Sequence, residues 1–175
     1  MSDVFYLRPV DPPATPEAVL ASADEASGCF GLHRVEWTTS FLSADGGRLL
    51  CWYRAPDAES ARLALRELGS DLAAVWPGKV LGGVAPRDPA VPQVDVLAEL
   101  AFPSAPEADG EALLDALRRA AGRLGHVAYA FLSNRRDRLV CLVRGGDADG
   151  LPAAFAAAGF PGAVAWRCQV VTPRP

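Results

Sequence analysis

Lysine is almost missing from this 175-residue chain: Lys79 is the exception among seventeen basic residues, the rest being arginine, and twenty-one acidic residues outnumber them. The net charge of -4 excludes a surface built to neutralise phosphates, since non-specific nucleic-acid binding needs a concentrated cationic face. Nucleic acid is therefore not an expected partner. No run approaches the roughly 20 apolar residues that span a bilayer as a helix. The opening "MSDVFYLRPVDPP" has neither the basic nor the apolar region of a secretory signal. A cytoplasmic protein with no membrane association is expected. The cysteines Cys29, Cys51, Cys141 and Cys168 form no C-x-x-C pair, which excludes zinc-knuckle and thioredoxin-type motifs and leaves buried, reduced thiols as the expectation. Histidine is limited to His33 and His126. There is no Gly-rich phosphate loop, G-x-S-x-G elbow or H-E-x-x-H, so no cofactor is expected.

What the chain does have is apolar residues, half of the total, enough for one sizeable core or two small ones. It also has a repeat. Shifted by ninety positions, "FLSADGGRLLCWYRAPDA" at 41–58 falls on "FLSNRRDRLVCLVRGGDA" at 131–148. Phe41, Leu42, Ser43, Arg48, Leu49, Cys51, Arg54 and Asp57 meet identical partners, and the register continues to Gly69/Gly159 and Trp76/Trp166. Thirteen of the forty-one pairs from Glu36 to Trp76 are identical, against about four expected by chance at this composition. An internal duplication is the expectation.

Each half reads as strand, helix, hairpin, helix, strand. In the first, "VFYLRPV" has strand composition, and Thr15 followed by Pro16 and Glu17 begins a helix. "EWTTSFLS" and "RLLCWYRA" flank "ADGG", a hairpin signal; Asp57 caps a second helix that ends at Gly69, and "KVLGGV" closes the unit. The second half repeats the order, with a weak last helix because Gly150 lies in its first turn. The predicted fold is α+β, a tandem duplication of a ferredoxin-like βαββαβ unit. The repeats are expected at 1–84 and 94–175, with the Pro-rich 85–93 as linker. The hairpin strands are apolar on both faces, so both faces need covering. The expected solution is a pseudo-dimeric α/β barrel made by the two halves, with further homo-oligomerisation left open.

The run from Phe41 to Val80, with its strand Cys51 and the helix start Ala55–Glu59, resembles a small bacterial ferredoxin-like domain family, largely uncharacterised and associated with nickel binding. The resemblance extends more faintly over Phe131–Ala148. It implies the ferredoxin-like fold and a capacity for metal. Trp52 and Leu142 follow the strand cysteines where metal-holding members are better supplied with histidine, and two histidines cannot make an imidazole-rich site in one copy. Cys29 and His33 have helical i, i+4 spacing suited to a metal, but Gly28 and Gly31 read as a helix ending there. No metal site is expected.

The candidate catalytic residues are Glu99, His126 and Tyr6. Glu99 lies on the less apolar face of "VDVLAELAF", and Tyr6 and Arg8 share a face of the first strand, so the three are expected to converge in a common cavity. Glu36 and His126 hold equivalent positions, a carboxylate answering an imidazole; two solvated strand ends is the alternative. Trp37, Thr39, Trp52 and Tyr129 are expected to line an apolar substrate pocket with a few hydroxyls, and Arg54 and Arg144 to hold an anionic group at its mouth. Cys51 and Cys141 are assigned to packing. Three readings follow: a small-molecule-binding barrel, possible as a cofactor-independent cyclase or isomerase; a nickel- or other metal-binding or metal-responsive protein; and a non-catalytic partner or scaffold.

Overall fold

The computed structural model describes residues 1–84, 93–102 and 108–173. Among them are eight strands and four α-helices, and every strand pairing described below is antiparallel. The arrangement is α+β. Two compact units divide the chain: Met1–Gly78 with Gln169–Pro175, and Lys79–Cys168. Most of the linker expected at 85–93 lies outside the described residues.

In the first unit β1 (Ser2–Pro9) lies between β3 (Arg48–Ala55) and β4 (Val75–Leu81), and β2 (Glu36–Ser43) pairs with β3. Helices α1 (Pro16–Leu32) and α2 (Ala58–Glu67) pack on one face of this sheet. Both begin as their sequences dictate. The Thr15 hydroxyl accepts from the Ala18 N–H, and the Asp57 carboxylate accepts from the Ser60 N–H at 2.7 Å; a cap of this kind is worth about 1 kcal/mol. α1 includes Gly28 and ends at Leu32, one residue past Gly31, close to where the two glycines place its end. A Cβ at either glycine would meet nothing within 4 Å, so these positions are tolerated on an open helix surface at a cost of about 1 kcal/mol each. Against the helices the sheet presents Val4, Tyr6, Leu42, Leu49, Cys51 and Tyr53. Its other face carries Phe5, Phe41, Leu50 and Trp52, all fully buried.

The second unit has the corresponding order. β5 (Val96–Ala101) lies between β7 (Arg138–Arg144) and β8 (Val164–Val171), and β6 (His126–Ser133) pairs with β7. Helices α3 (Gly110–Ala121) and α4 (Leu151–Ala157) bury Leu113, Leu114, Leu117, Leu151 and Phe155 against Val96, Ala98, Val127, Leu132 and Cys141. α4 is short and its N-cap, Gly150, makes no side-chain cap bond.

Two local features recur ninety positions apart. In both hairpins the register slips by one residue, between Trp37 and Thr39 and between Val127 and Tyr129. Both turns place one residue at positive φ, Gly46 at 74° and Arg136 at 60°, and in both the equivalent serine donates to an aspartate from a different turn position, Ser43 to Asp45 and Ser133 to Asp137. Gly46 is required for a second reason: a Cβ there would come within 2.4 Å of the Ala14 carbonyl oxygen. One strand boundary differs from expectation. The first unit's last strand is expected over "KVLGGV", whereas β4 begins at Val75 and carries Pro77 opposite Val4 of β1. Proline lacks the N–H of an inner ladder but keeps an extended φ, so Pro-Gly does not end this strand.

Candidate functional site

A cavity of about 390 Å³ lies in the first unit between the sheet and helices α1 and α2. Its floor is the helix-side face of β1, β2 and β3, from which Tyr6, Arg8, Trp37, Ser40, Cys51 and Tyr53 reach it; Val19, Ala26 and Phe30 of α1 and Leu65 of α2 form the cover. The size is within the range of small-molecule sites, which pair apolar walls with a few placed polar groups.

The polar groups are connected. Trp37 Nε1 donates to Ser40 Oγ at 3.0 Å, and Ser40 Oγ donates to Cys51 Sγ at 3.0 Å. Tyr53, one strand position pair further along the same face, also hydrogen-bonds Cys51. Burial pushes the Cys51 thiol up, while the Ser40 and Tyr53 hydrogen bonds and the Arg8 charge pull the other way without prevailing. Burial, with the neighbouring Cys51, holds the Tyr53 phenol well above its usual range. Both groups are protonated near neutrality, so Cys51 is no resting thiolate nucleophile. The Arg8 guanidinium lies 5.5 Å from the centre of the Tyr6 ring, and the Tyr6 hydroxyl accepts from the Asp71 N–H at 3.2 Å. Phe30 meets Tyr53 edge-on at 5.4 Å between ring centres, fixing the inner end of the cover.

The slip in β2 decides what reaches this cavity. Thr38 is the extra residue, so Trp37 pairs with Tyr53 and Ser40 with Cys51 on the helix side, while Thr39 pairs with Trp52 on the other. Strict alternation would have put Trp37 with Thr39 and away from Ser40.

Of the residues singled out in the sequence, the structure brings Tyr6, Arg8 and Trp37 together in this cavity. Thr39, Trp52 and Arg54 belong to the opposite face of the same sheet, where Trp52 Nε1 donates to Asp3 at 2.9 Å and Arg54 lies 4.0 Å from the same carboxylate. In the second unit Glu99 is on the face of its sheet turned away from α3 and α4, half-buried, accepting from Trp166 Nε1 at 2.5 Å. Tyr129 shares that face and is fully buried, edge-on to Phe131 at 5.7 Å. Tyr6 and Arg8 thus face the helices of their unit, whereas Glu99 faces away from the helices of its own. His126 is exposed and pairs in register with Arg144, as Glu36 pairs with Arg54. Those two second-unit residues, with Arg118 and Arg123, line a groove of about 480 Å³. Its cations are largely engaged: Arg118 donates to the Val127 and Ala128 carbonyls and to Asp115, and Arg144 donates to Gln93 at 2.8 Å.

The sequence points Cys51 to packing and does not single out Ser40 or Tyr53. The signal for them was the alternation of "RLLCWYR", which puts Cys51 and Tyr53 on one face; the slip that brings Ser40 and Trp37 to that face has no mark in the sequence.

No protein-family model matches the chain, and no curated protein does. Among solved structures, an anthrone oxidase-like protein aligns over 98% of this chain and 92% of its own, with 15% identity and a TM-score of 0.48. A candidate chlorite dismutase aligns over 95% and 93% at 11% identity and a TM-score of 0.43. A candidate monooxygenase from Lactobacillus acidophilus aligns over 98% and 97% at 8% identity and a TM-score of 0.43. Likeness at these levels carries nothing about activity. The nickel-associated family remains a resemblance of short sequence runs.

Proposed function

We propose that the chain binds a small, mainly apolar molecule carrying one oxyanion or carbonyl group, in the cavity between α1, α2 and the β1–β3–β2 face. The observation that carries this reading is the connected polar set on an otherwise apolar floor: Arg8, Tyr53, Cys51 and Ser40. Arg8 supplies the charge that holds an oxyanion. Tyr53, kept protonated by burial, supplies a hydrogen bond that strengthens as negative charge develops on the ligand. These two groups suit enolisation, isomerisation or cyclisation by proton transfer, with no cofactor called upon. The base of such a reaction is assigned to Glu25, the carboxylate among the cavity's lining residues. Glu99 of the second unit is the other candidate acid/base group, and its half-buried, Trp166-bonded carboxylate supports keeping it.

In the same proposal the chain is a duplicated βαββαβ unit, read as a pseudo-dimeric α/β barrel. The support is the recurring element order, register slip and turn, together with the burial of each sheet's face away from its helices.

The test is calorimetric binding of a panel of phenols, enolisable ketones and aromatic carboxylates to the whole chain and to Arg8→Met and Tyr53→Phe. A ligand of the proposed class binds the unaltered chain and is weakened about tenfold by Tyr53→Phe, the loss of roughly one hydrogen bond to a charged group, and more by Arg8→Met. Equal affinity for all three proteins contradicts the proposal.

A further inference from the structure

Where α1 and α2 end, three side chains of different chemistry meet. Cys29 lies in the last turn of α1, which ends at Leu32, and His33 is its C-cap residue. Glu67 is the last residue of α2. The Cys29 thiol lies 3.1 Å from Glu67 Oε2, and His33 Nε2 lies 3.1 Å from Glu67 Oε1. One ligand atom from each of the three lies within 4.8 Å of the others.

We propose that Cys29, His33 and Glu67 form a binding site for a zinc ion. A thiolate, an imidazole and a carboxylate are the three ligand types that Zn²⁺ takes, at about 2.3, 2.0–2.1 and 2.0–2.2 Å. Tetrahedral geometry with those bonds sets neighbouring ligand atoms about 3.3–3.7 Å apart. The present spacings, from 3.1 Å to at most 4.8 Å, bracket that figure, so an ion enters by small rotations of side chains and no movement of either helix. The Cys29 proton leaves to solvent as the sulfur–zinc bond forms, and Glu67 exchanges its hydrogen bonds from Cys29 and His33 for a bond to the metal. Oxygen-only cations such as Mg²⁺ and Ca²⁺ are disfavoured by the sulfur and nitrogen ligands. The Glu67 side chain is 53% exposed and that of His33 18%, which gives the ion an entry path and leaves the fourth position to water.

The consequence is mechanical. Phe30 lies between Cys29 and His33 in α1, and Leu65 precedes Glu67 in α2; both line the cavity. Zinc here ties together the ends of the two helices that cover it. The site stands on its own ligands and does not depend on what the cavity binds.

The experiment is Co²⁺ titration of the reduced, untagged whole chain, followed by displacement with Zn²⁺. The expected result is a near-ultraviolet thiolate-to-cobalt band with tetrahedral visible bands saturating at one equivalent, abolished by Zn²⁺ and by Cys29→Ser. His33→Gln and Glu67→Gln each weaken binding at least about tenfold, since even outer-shell partners of a metal are worth 10–100-fold. Cys168→Ser, which removes another part-exposed thiol, leaves the titration unchanged. Because a variant can lose the metal by unfolding, the melting temperature is read in parallel: Zn²⁺ raises it for the unaltered chain and not for Glu67→Gln. Absence of a thiolate band at one equivalent, its persistence in Cys29→Ser, or its loss in Cys168→Ser overturns the assignment.

Discussion

The strand thiols give the chain a specific weakness in alkali. Burial raises Cys141 far above its usual range, and burial together with Asp95 pushes Cys168 up to about 12. In the unfolded chain both titrate near 8.5. Between those values the unfolded state has lost its protons and the folded state has kept them, so the folded state binds more protons and stability falls as pH rises. The contribution is intact below about pH 8.5. It is lost at about 1.4 kcal/mol per pH unit per thiol above that, or roughly 2 kcal/mol for each of the two by pH 10. Cys51 and Tyr53 shift in the same direction. Two thiols alone remove about 4 kcal/mol of a total that is typically 5–15 kcal/mol. With an m-value of about 2 kcal/mol/M, the urea midpoint drops by about 2 M between pH 8 and pH 10. Urea melts followed by tryptophan fluorescence at the two pH values measure it. In Cys141→Ala and Cys168→Ala the absolute stability falls with the lost packing, but the drop between pH 8 and pH 10 shrinks by about 2 kcal/mol each. A midpoint that stays within about 0.3 M across this range in the unaltered chain refutes the assignment of both cysteines to neutral thiols in the folded chain.

Two further outcomes are expected. The two equivalent turn positions respond in opposite ways: Gly46→Arg, forced to positive φ against the Ala14 carbonyl, destabilises by at least about 2 kcal/mol. Arg136→Gly stays within about 1 kcal/mol, relief of the left-handed backbone offsetting the lost bond from Arg136 to the Ala108 carbonyl; thermal melts read both. Glu99→Gln keeps an amide oxygen for Trp166 Nε1, so its unfolding free energy, read from urea melts, changes by less than about 1 kcal/mol; once a turned-over substrate is known, full activity in this variant removes Glu99 from the chemistry, and loss of activity with the stability preserved places it there.

Much of this fold is written in local chemistry. Asp57 before Ala58, Pro16 after Thr15 and the Asp45–Gly46 turn are short-range signals, and the elements they announce lie where the sequence puts them: β2 over Glu36–Ser43, β3 over Arg48–Ala55 and β6 over His126–Ser133. The pattern misleads where a long-range contact overrides a local preference. The last strand of the first half reads as beginning at Lys79, yet Val75–Gly78 already pair with β1. The candidate site was half legible for the same reason. Tyr6 and Arg8 follow from simple alternation on β1. The slip at Thr38, which turns Trp37 toward Ser40 and away from Thr39, is set by the pairing of two strands and leaves no trace in composition. Glu67 stands thirty-eight residues from Cys29 in sequence, so a reading of either helix alone finds two metal ligands at best.

Whether the cavity of the first unit is the ligand site is decided by locating the tightest binder of the panel in a crystal structure of the complex. The ligand is expected between α1 and the β1–β3–β2 face, its oxygen within hydrogen-bond distance of the Arg8 guanidinium and the Tyr53 hydroxyl. A ligand bound elsewhere, in the second-unit groove beside His126 and Arg144 for example, with the first-unit cavity unchanged, contradicts it.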